Sequence, residues 1–168
     1  MPYDQNQLWK PTRPYILGSG KYAGKVLEYV FLHDISSFLA MKCQLEANAQ
    51  KNCKPNTYHQ HIMWLVNSIN ILADNVVCKE CGKRANFLPA RGNYQEGLYF
   101  LPYPLCRQCA ERGEWAIAFK FDIVPWHICY LPLSKTDRNK LWKAQKKVLK
   151  INNKSDQQLF ELLVGINH

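Results

Sequence analysis

The chain has 168 residues, 47% apolar and 12% aromatic, with 22 basic against 13 acidic side chains and a formal net charge of +9. That length holds one compact domain or two small ones sharing a core, and the apolar content excludes a chain that stays disordered. No run approaches the ~18 uninterrupted apolar residues of a membrane span, and Met1 followed by Pro2, Asp4, Gln5 and Asn6 does not open a secretory signal. An intracellular location, cytoplasmic or nucleoid-associated, is therefore expected, with no membrane partner. The charge favours a polyanion, nucleic acid ahead of a membrane surface. The plain alternative is a basic surface that only keeps the protein in solution.

Residues 1–15 are polar, carry Pro2, Pro11 and Pro14, and read as an extended arm that Tyr3, Leu8, Trp9 and Tyr15 can pin. Residues 16–55 form a first module. Gly18, Gly20 and Gly24 flank a short aromatic segment, which suggests a strand or hairpin with tight turns. On an extended segment Lys21 and Lys25 fall on the same side. They would present two ammonium groups to phosphates, or guard an exposed edge. Leu27, Val30 and Phe31 share a face, but the stretch is short for a helix. Asp34 is a good N-cap for a helix through Ile35, Phe38, Leu39, Met41, Lys42 and Leu45. Glu46 to Pro55 reads as a helix end and linker. Cys43 and Cys53 read as ordinary thiols.

Residues 56–132 carry the chemistry. A helix capped by Asn56 or Thr57 shows an apolar stripe at Ile62, Leu65, Ile69 and Leu72 and ends near Ala73 to Asn75. His59 and His61 lie in its first turn and are expected to face solvent. Then come Cys78-Lys79-Glu80-Cys81-Gly82 and Cys106-Arg107-Gln108-Cys109, two Cys-x-x-Cys pairs with 24 residues between them. In a reducing compartment such pairs are metal ligands rather than disulfides. Thiolates suit Zn²⁺, and two such turns close a tetrahedron. One structural Zn²⁺ held by Cys78, Cys81, Cys106 and Cys109 is the expected cofactor; it would lower the net charge by about two. Between the pairs, 86–90 and 98–101 read as strands joined by a turn over 91–97. Period-two alternation from Trp115 to Ile123 favours a further strand. Pro125 to Pro132 reads as strand or packed loop, with Cys129 a core thiol.

Residues 133–168 form a basic helical segment. Lys135, Arg138, Lys140, Lys143, Lys146, Lys147, Lys150 and Lys154 face a single acid, Asp137, over residues 134–154. Leu141, Trp142, Gln145, Val148 and Leu149 share one helical face, which makes a basic amphipathic helix suited to a phosphate backbone. A docked helix with solvated lysines is the alternative. Ser155-x-x-Gln158 matches a capping box before a short apolar helix.

Two resemblances add to this reading. Gly20-Lys21-Tyr22-Ala23-Gly24-Lys25, then Asp34 and Phe38 to Met41, resembles the C-terminal domain of exodeoxyribonuclease X-like proteins. The second half departs from that pattern: Ile35 stands where proline is usual. The resemblance implies a module that accompanies nucleic-acid enzymes, without their catalytic domain. The order knuckle, hairpin and second cysteine pair resembles a zinc ribbon or treble clef. The expected fold is thus α+β: a small zinc-stapled domain packed with helices, plus a basic C-terminal helix.

No catalytic constellation is evident. The acids are scattered, no His-x-Glu element precedes the second cysteine pair, and no histidine lies between the pairs. The expected function is a non-catalytic nucleic-acid-binding accessory subunit or adaptor, for DNA or RNA. It would contact phosphates through Lys21, Lys25, Lys83, Arg84, Arg91, Lys135, Arg138, Lys140, Lys143, Lys146, Lys147 and Lys150. Tyr22, Tyr94 or Trp142 are candidates for base stacking. Partner subunits of a nucleoprotein assembly, such as an RNA-guided defence complex, suit these features. A zinc-stabilised protein-interaction module is the alternative, and a metal-dependent nuclease the second.

Overall fold

The glycines of the first module make a turn, not an extended edge. Gly20 and Gly24 have φ of 80° and 79°, a left-handed conformation that residues with a Cβ avoid. Leu17 N donates to Lys25 O and Gly24 N to Leu17 O, both at 2.8 Å, and Ile16 bridges antiparallel to Val26. Lys21 and Lys25 therefore sit in or beside a turn, and the extended geometry that would have aligned them is absent. The computed structural model describes residues 9–49, 56–93, 97–112, 121–122 and 134–166 of the chain, with backbone only for 49, 91–93 and 121–122.

Six helices and four short strands are seen among the described residues. The turn leads into α1 (Leu27–His33), whose Leu27, Val30, Phe31 and Leu32 are buried. Seven residues do not hold a helix in water; burial of this face supplies the stability. Asp34 ends α1 and starts α2 (Ile35–Ala49). Its Oδ1 accepts from Ser37 N at 3.1 Å, the N-cap geometry expected of it. Its Oδ2 accepts from Ser37 Oγ at 2.9 Å, from Lys21 Nζ at 3.2 Å and from the Tyr22 hydroxyl. One carboxylate thus ties the glycine turn to a helix start.

Helix α3 (Thr57–Asp74) is capped by Asn56, whose Oδ1 accepts from His59 N at 2.9 Å. Ile62, Leu65 and Ile69 are fully buried, as the stripe requires. His61 corrects the sequence reading. It does not face solvent: it is 1% exposed, and its Nε2 lies 2.6 Å from Oε1 of Glu28, which is also buried. Each satisfies a polar group the other would leave stranded. Trp9, Tyr15, Trp64 and Phe160 surround the imidazole, with Phe160 stacked on it. The partner on α1 is 33 residues away, so local periodicity around His61 carried no sign of it.

The described residues divide into two compact units, with the boundary inside α3 after Ile69. The first takes the residues up to Ile69 and those from Lys154 onward; the second spans Asn70–Asn153. The segment read as one C-terminal piece is shared between them. In the first unit, α6 (Asp156–Val164) opens on the expected capping box of Ser155 and Gln158, packs on α1 and buries Leu159, Phe160 and Leu163, with Phe160 against His61 and Trp64 of α3.

In the second unit β1 (Phe87–Leu88), β2 (Ala90–Asn93), β3 (Gly97–Phe100) and β4 (Phe121–Asp122) form two antiparallel pairs, β1 with β4 and β2 with β3. The strand expected over 86–90 is split at Pro89, which has no amide hydrogen to continue a ladder. The turn expected over 91–97 is narrower, because Arg91, Gly92 and Asn93 pair with Tyr99, Leu98 and Gly97 as strand. Of the strand expected over 115–123, residues 121 and 122 are described and pair with β1; the rest, Pro125 to Pro132 with Cys129, Cys53, and residues 94–96 lie outside the described residues. Helix α4 is Arg107–Arg112, and α5 is Lys135–Val148, capped by Ser134 and packed on β3 through an apolar face that includes Leu141, Trp142 and Ala144. No described helix is long and apolar enough to cross a membrane.

Two outcomes are expected. Replacing Glu28 by Leu strands His61 and should cost about 3 kcal/mol in urea unfolding, with much of it regained when His61 is also made Leu. Partial burial works to raise the Asp34 pKa, but hydrogen bonds from Tyr22, Ser37 and Lys21 outweigh it and hold the carboxyl well below the usual range. A depressed pKa contributes stability that is present above the unfolded value near ~4 and lost as pH falls below it. The stability gap between the wild type and Asp34→Asn, about 2 kcal/mol at neutral pH, should therefore close progressively below about pH 4.

Candidate metal centre and basic groove

The first cysteine pair sits on a tight knuckle. Val77 bridges to Arg84, Cys78 N donates to Lys83 O at 2.6 Å, and Gly82 N to Cys78 O at 2.9 Å. Gly82 takes φ 71°, which lets the chain double back. The second pair is brought up by Leu105, whose N donates to Phe87 O at 3.0 Å and whose O accepts from Phe87 N at 3.1 Å. Lys79 N donates to Pro104 O at 3.0 Å and Tyr103 OH to Glu80 Oε1 at 2.8 Å, joining the two approaches. Helix α4 then starts directly after Cys106 and carries Cys109 in its first turn. The four sulfurs lie within 4.8 Å of one another, with Cys81 and Cys106 3.6 Å apart. Sulfurs bound at about 2.3 Å to one tetrahedral ion fall at such separations. The four cysteines can therefore hold a metal ion.

The electrostatics fit that role. Burial disfavours the Cys78 thiolate, yet the backbone amides of Cys106, Cys81 and Glu80 outweigh it and bring the thiol down to about 6. The Cys109 amide likewise lowers Cys106, against burial. Cys109 itself is pushed up to about 12 by the neighbouring Cys106 and Cys81 sulfurs. Amides thus favour negative charge here, while the crowding of sulfurs resists full ionisation without a cation.

The basic residues fall into separate settings. Lys21 is paired with Asp34 and lies 4.8 Å from the centre of the Tyr22 ring; Lys25 lies 4.8 Å from that of Tyr29. Lys83 donates to Gln108 Oε1 at 3.3 Å, and Arg84 is paired with Asp74. The Arg138 Nε is buried. Lys146 is half-buried over Trp142, and burial, with Lys143 nearby, lowers its pKa. The Arg91 side chain lies outside what is described. Lys135 is exposed at the start of α5. Lys140, Lys143 and Lys147, at spacings three and four, share a helical face. With Tyr99, Phe100, Pro102 and Ala144 they line a groove of about 170 Å³. Lys147 and Pro102 also border a second depression of about 380 Å³, where Lys79 and Lys150 join them.

Of the stacking candidates, Trp142 is buried, the Tyr22 hydroxyl is bound to Asp34, and Tyr94 lies outside the described residues. The exposed aromatic beside the lysines is Tyr99, 64% exposed, with Lys140 Nζ 5.4 Å from its ring centre. Its signal was in the strand alternation: Leu98 is fully buried, so Tyr99 faces outward.

Metal capture must displace thiol protons, so affinity should fall as pH drops from about 7 to 5, through the Cys78 value of about 6. Chelator competition across that range measures it. Cys106→Ser should abolish metal uptake and remove hydrogen-exchange protection from the Cys78, Gly82 and Leu105 amides in metal-loaded protein.

No family model, curated protein or solved structure matches this chain.

Proposed function

We propose that the chain is a non-catalytic nucleic-acid-binding module with a structural Cys₄ zinc site, acting as an accessory subunit or adaptor of a larger nucleoprotein assembly. The observation that carries this reading is the clustering of Lys79, Lys140, Lys143, Lys147 and Lys150 along two adjoining depressions. Among the described residues Lys143, Lys147 and Lys150 have no ion-pair partner, so their charge is available to phosphates. Zinc is favoured because all four donors are cysteine sulfurs, with no imidazole or carboxylate in the cluster. Four sulfur ligands close the coordination sphere, which supports a structural role over a hydrolytic one. A helix beginning at the second cysteine pair favours a treble clef over a ribbon. The stretch resembling the exodeoxyribonuclease X-like domain serves this module as scaffold: its Lys21 is engaged by Asp34.

Fluorescence anisotropy with generic oligonucleotides between about 50 and 200 mM salt tests the reading. Five lysines reaching phosphates predict a log–log salt slope of about −4.5 on duplex. Lys143→Glu with Lys147→Glu should weaken binding at least about tenfold and flatten that slope by about two. Negligible binding at the lowest salt would refute this function and return the basic surface to a solubility role or a protein-interaction module.

A further inference from the structure

We infer that the groove beside Tyr99 is a seat for an unpaired base, which makes single-stranded nucleic acid the preferred ligand; this rests on the proposed nucleic-acid reading and specifies it. Tyr99 stands on β3, fixed in place by the buried Leu98 before it, and its ring is largely exposed. An aromatic ring on a rigid strand is a platform for a nucleobase, and every base has a face to offer. A duplex offers none along its length, because its bases are already stacked inside. The groove volume of about 170 Å³ suits one planar ring system, not a double helix.

The charges are arranged to match. Lys143 and Lys147 lie one helical turn apart, about 6 Å along α5, and both border the groove that holds the ring. A strand laid along α5 can put successive phosphates on these ammonium groups while one base turns onto Tyr99. Lys140 now covers the ring at 5.4 Å and is otherwise held by Asp137 at 3.5 Å. That surface cation–π contact is weaker than base stacking. The arriving base displaces the ammonium, which moves to the strand's phosphate. The second depression, with Lys79 and Lys150, continues the track past Lys147.

The test compares an oligo-dT and an oligo-U of about 15 nucleotides, a duplex of equal length and a poly-glutamate peptide, all against the full chain. The wild type should bind the single strands more tightly than the duplex or the peptide. Tyr99→Ala should weaken single-strand binding about tenfold with the salt slope unchanged, leaving duplex binding within about twofold. Tyr99→Phe should retain wild-type affinity. Lys143→Ala with Lys147→Ala should weaken both forms and flatten both salt slopes. Circular dichroism checks that each variant folds. An unchanged Tyr99→Ala variant, or equal losses on single strand and duplex, would overturn the base seat while leaving backbone binding in place. Equal affinity for the peptide would overturn it too. Failure of the wild type to bind any nucleic acid at low salt would sink both this inference and the function it rests on.

Discussion

Four sulfur atoms drawn to within 4.8 Å of one another set the geometry of the second unit. The strands around them are two to four residues long. Hairpins of that size are marginal in water without something to hold them. The knuckle at Cys78 and the approach of Leu105 to Phe87 bring the cysteines together from either side of a hairpin. Backbone amides point at the sulfurs and favour their ionisation, while the crowding of sulfur against sulfur opposes it. A cation held there would resolve that conflict, and its binding would then also be folding energy.

The first unit depends on different forces. Two of its helices, α1 and α6, are short, and two carboxylates organise helix ends and the interior. Asp34 gathers the Ser37 amide, the Ser37 and Tyr22 hydroxyls and the Lys21 ammonium. Glu28 reaches His61 inside the core, within an aromatic surround. These are directional contacts in partly or wholly dry surroundings, where an unpaired polar group is costly. In the glycine- and lysine-rich stretch they tie the turn to the start of α2, with the exposed Lys21 ammonium paired to Asp34 and lying, like Lys25, near a tyrosine ring.

That division changes how the net charge of +9 is understood. Basic residues that look equivalent in the chain are not equivalent in space. Lys21, Arg84 and Lys146 are occupied by a carboxylate, a carboxylate and an indole respectively. Lys140, Lys143, Lys147, Lys150 and Lys79 border open depressions, with an outward tyrosine among them. A positive surface raises affinity for any polyanion. In the proposed function, the aromatic ring beside it is what would give the surface a preference among polyanions.

What the sequence determined by itself was whatever depends on near neighbours. The two cysteine pairs, the Asp34, Asn56 and Ser155 caps, the apolar stripe of α3 and the amphipathic pattern of α5 were all legible, because spacing within one turn or one helix decides them. Tertiary structure alone decided what depends on distant partners. It turned His61 inward to Glu28, broke the expected strand at Pro89 so that its halves pair with different segments, and made a helix of Leu27–His33 by burying it. It also sorted the lysines into engaged and available ones and left Tyr99 outside. Composition counts charges, but only the folded chain assigns each one a neighbour, and the neighbour decides whether the charge is spent within the protein or offered to a ligand.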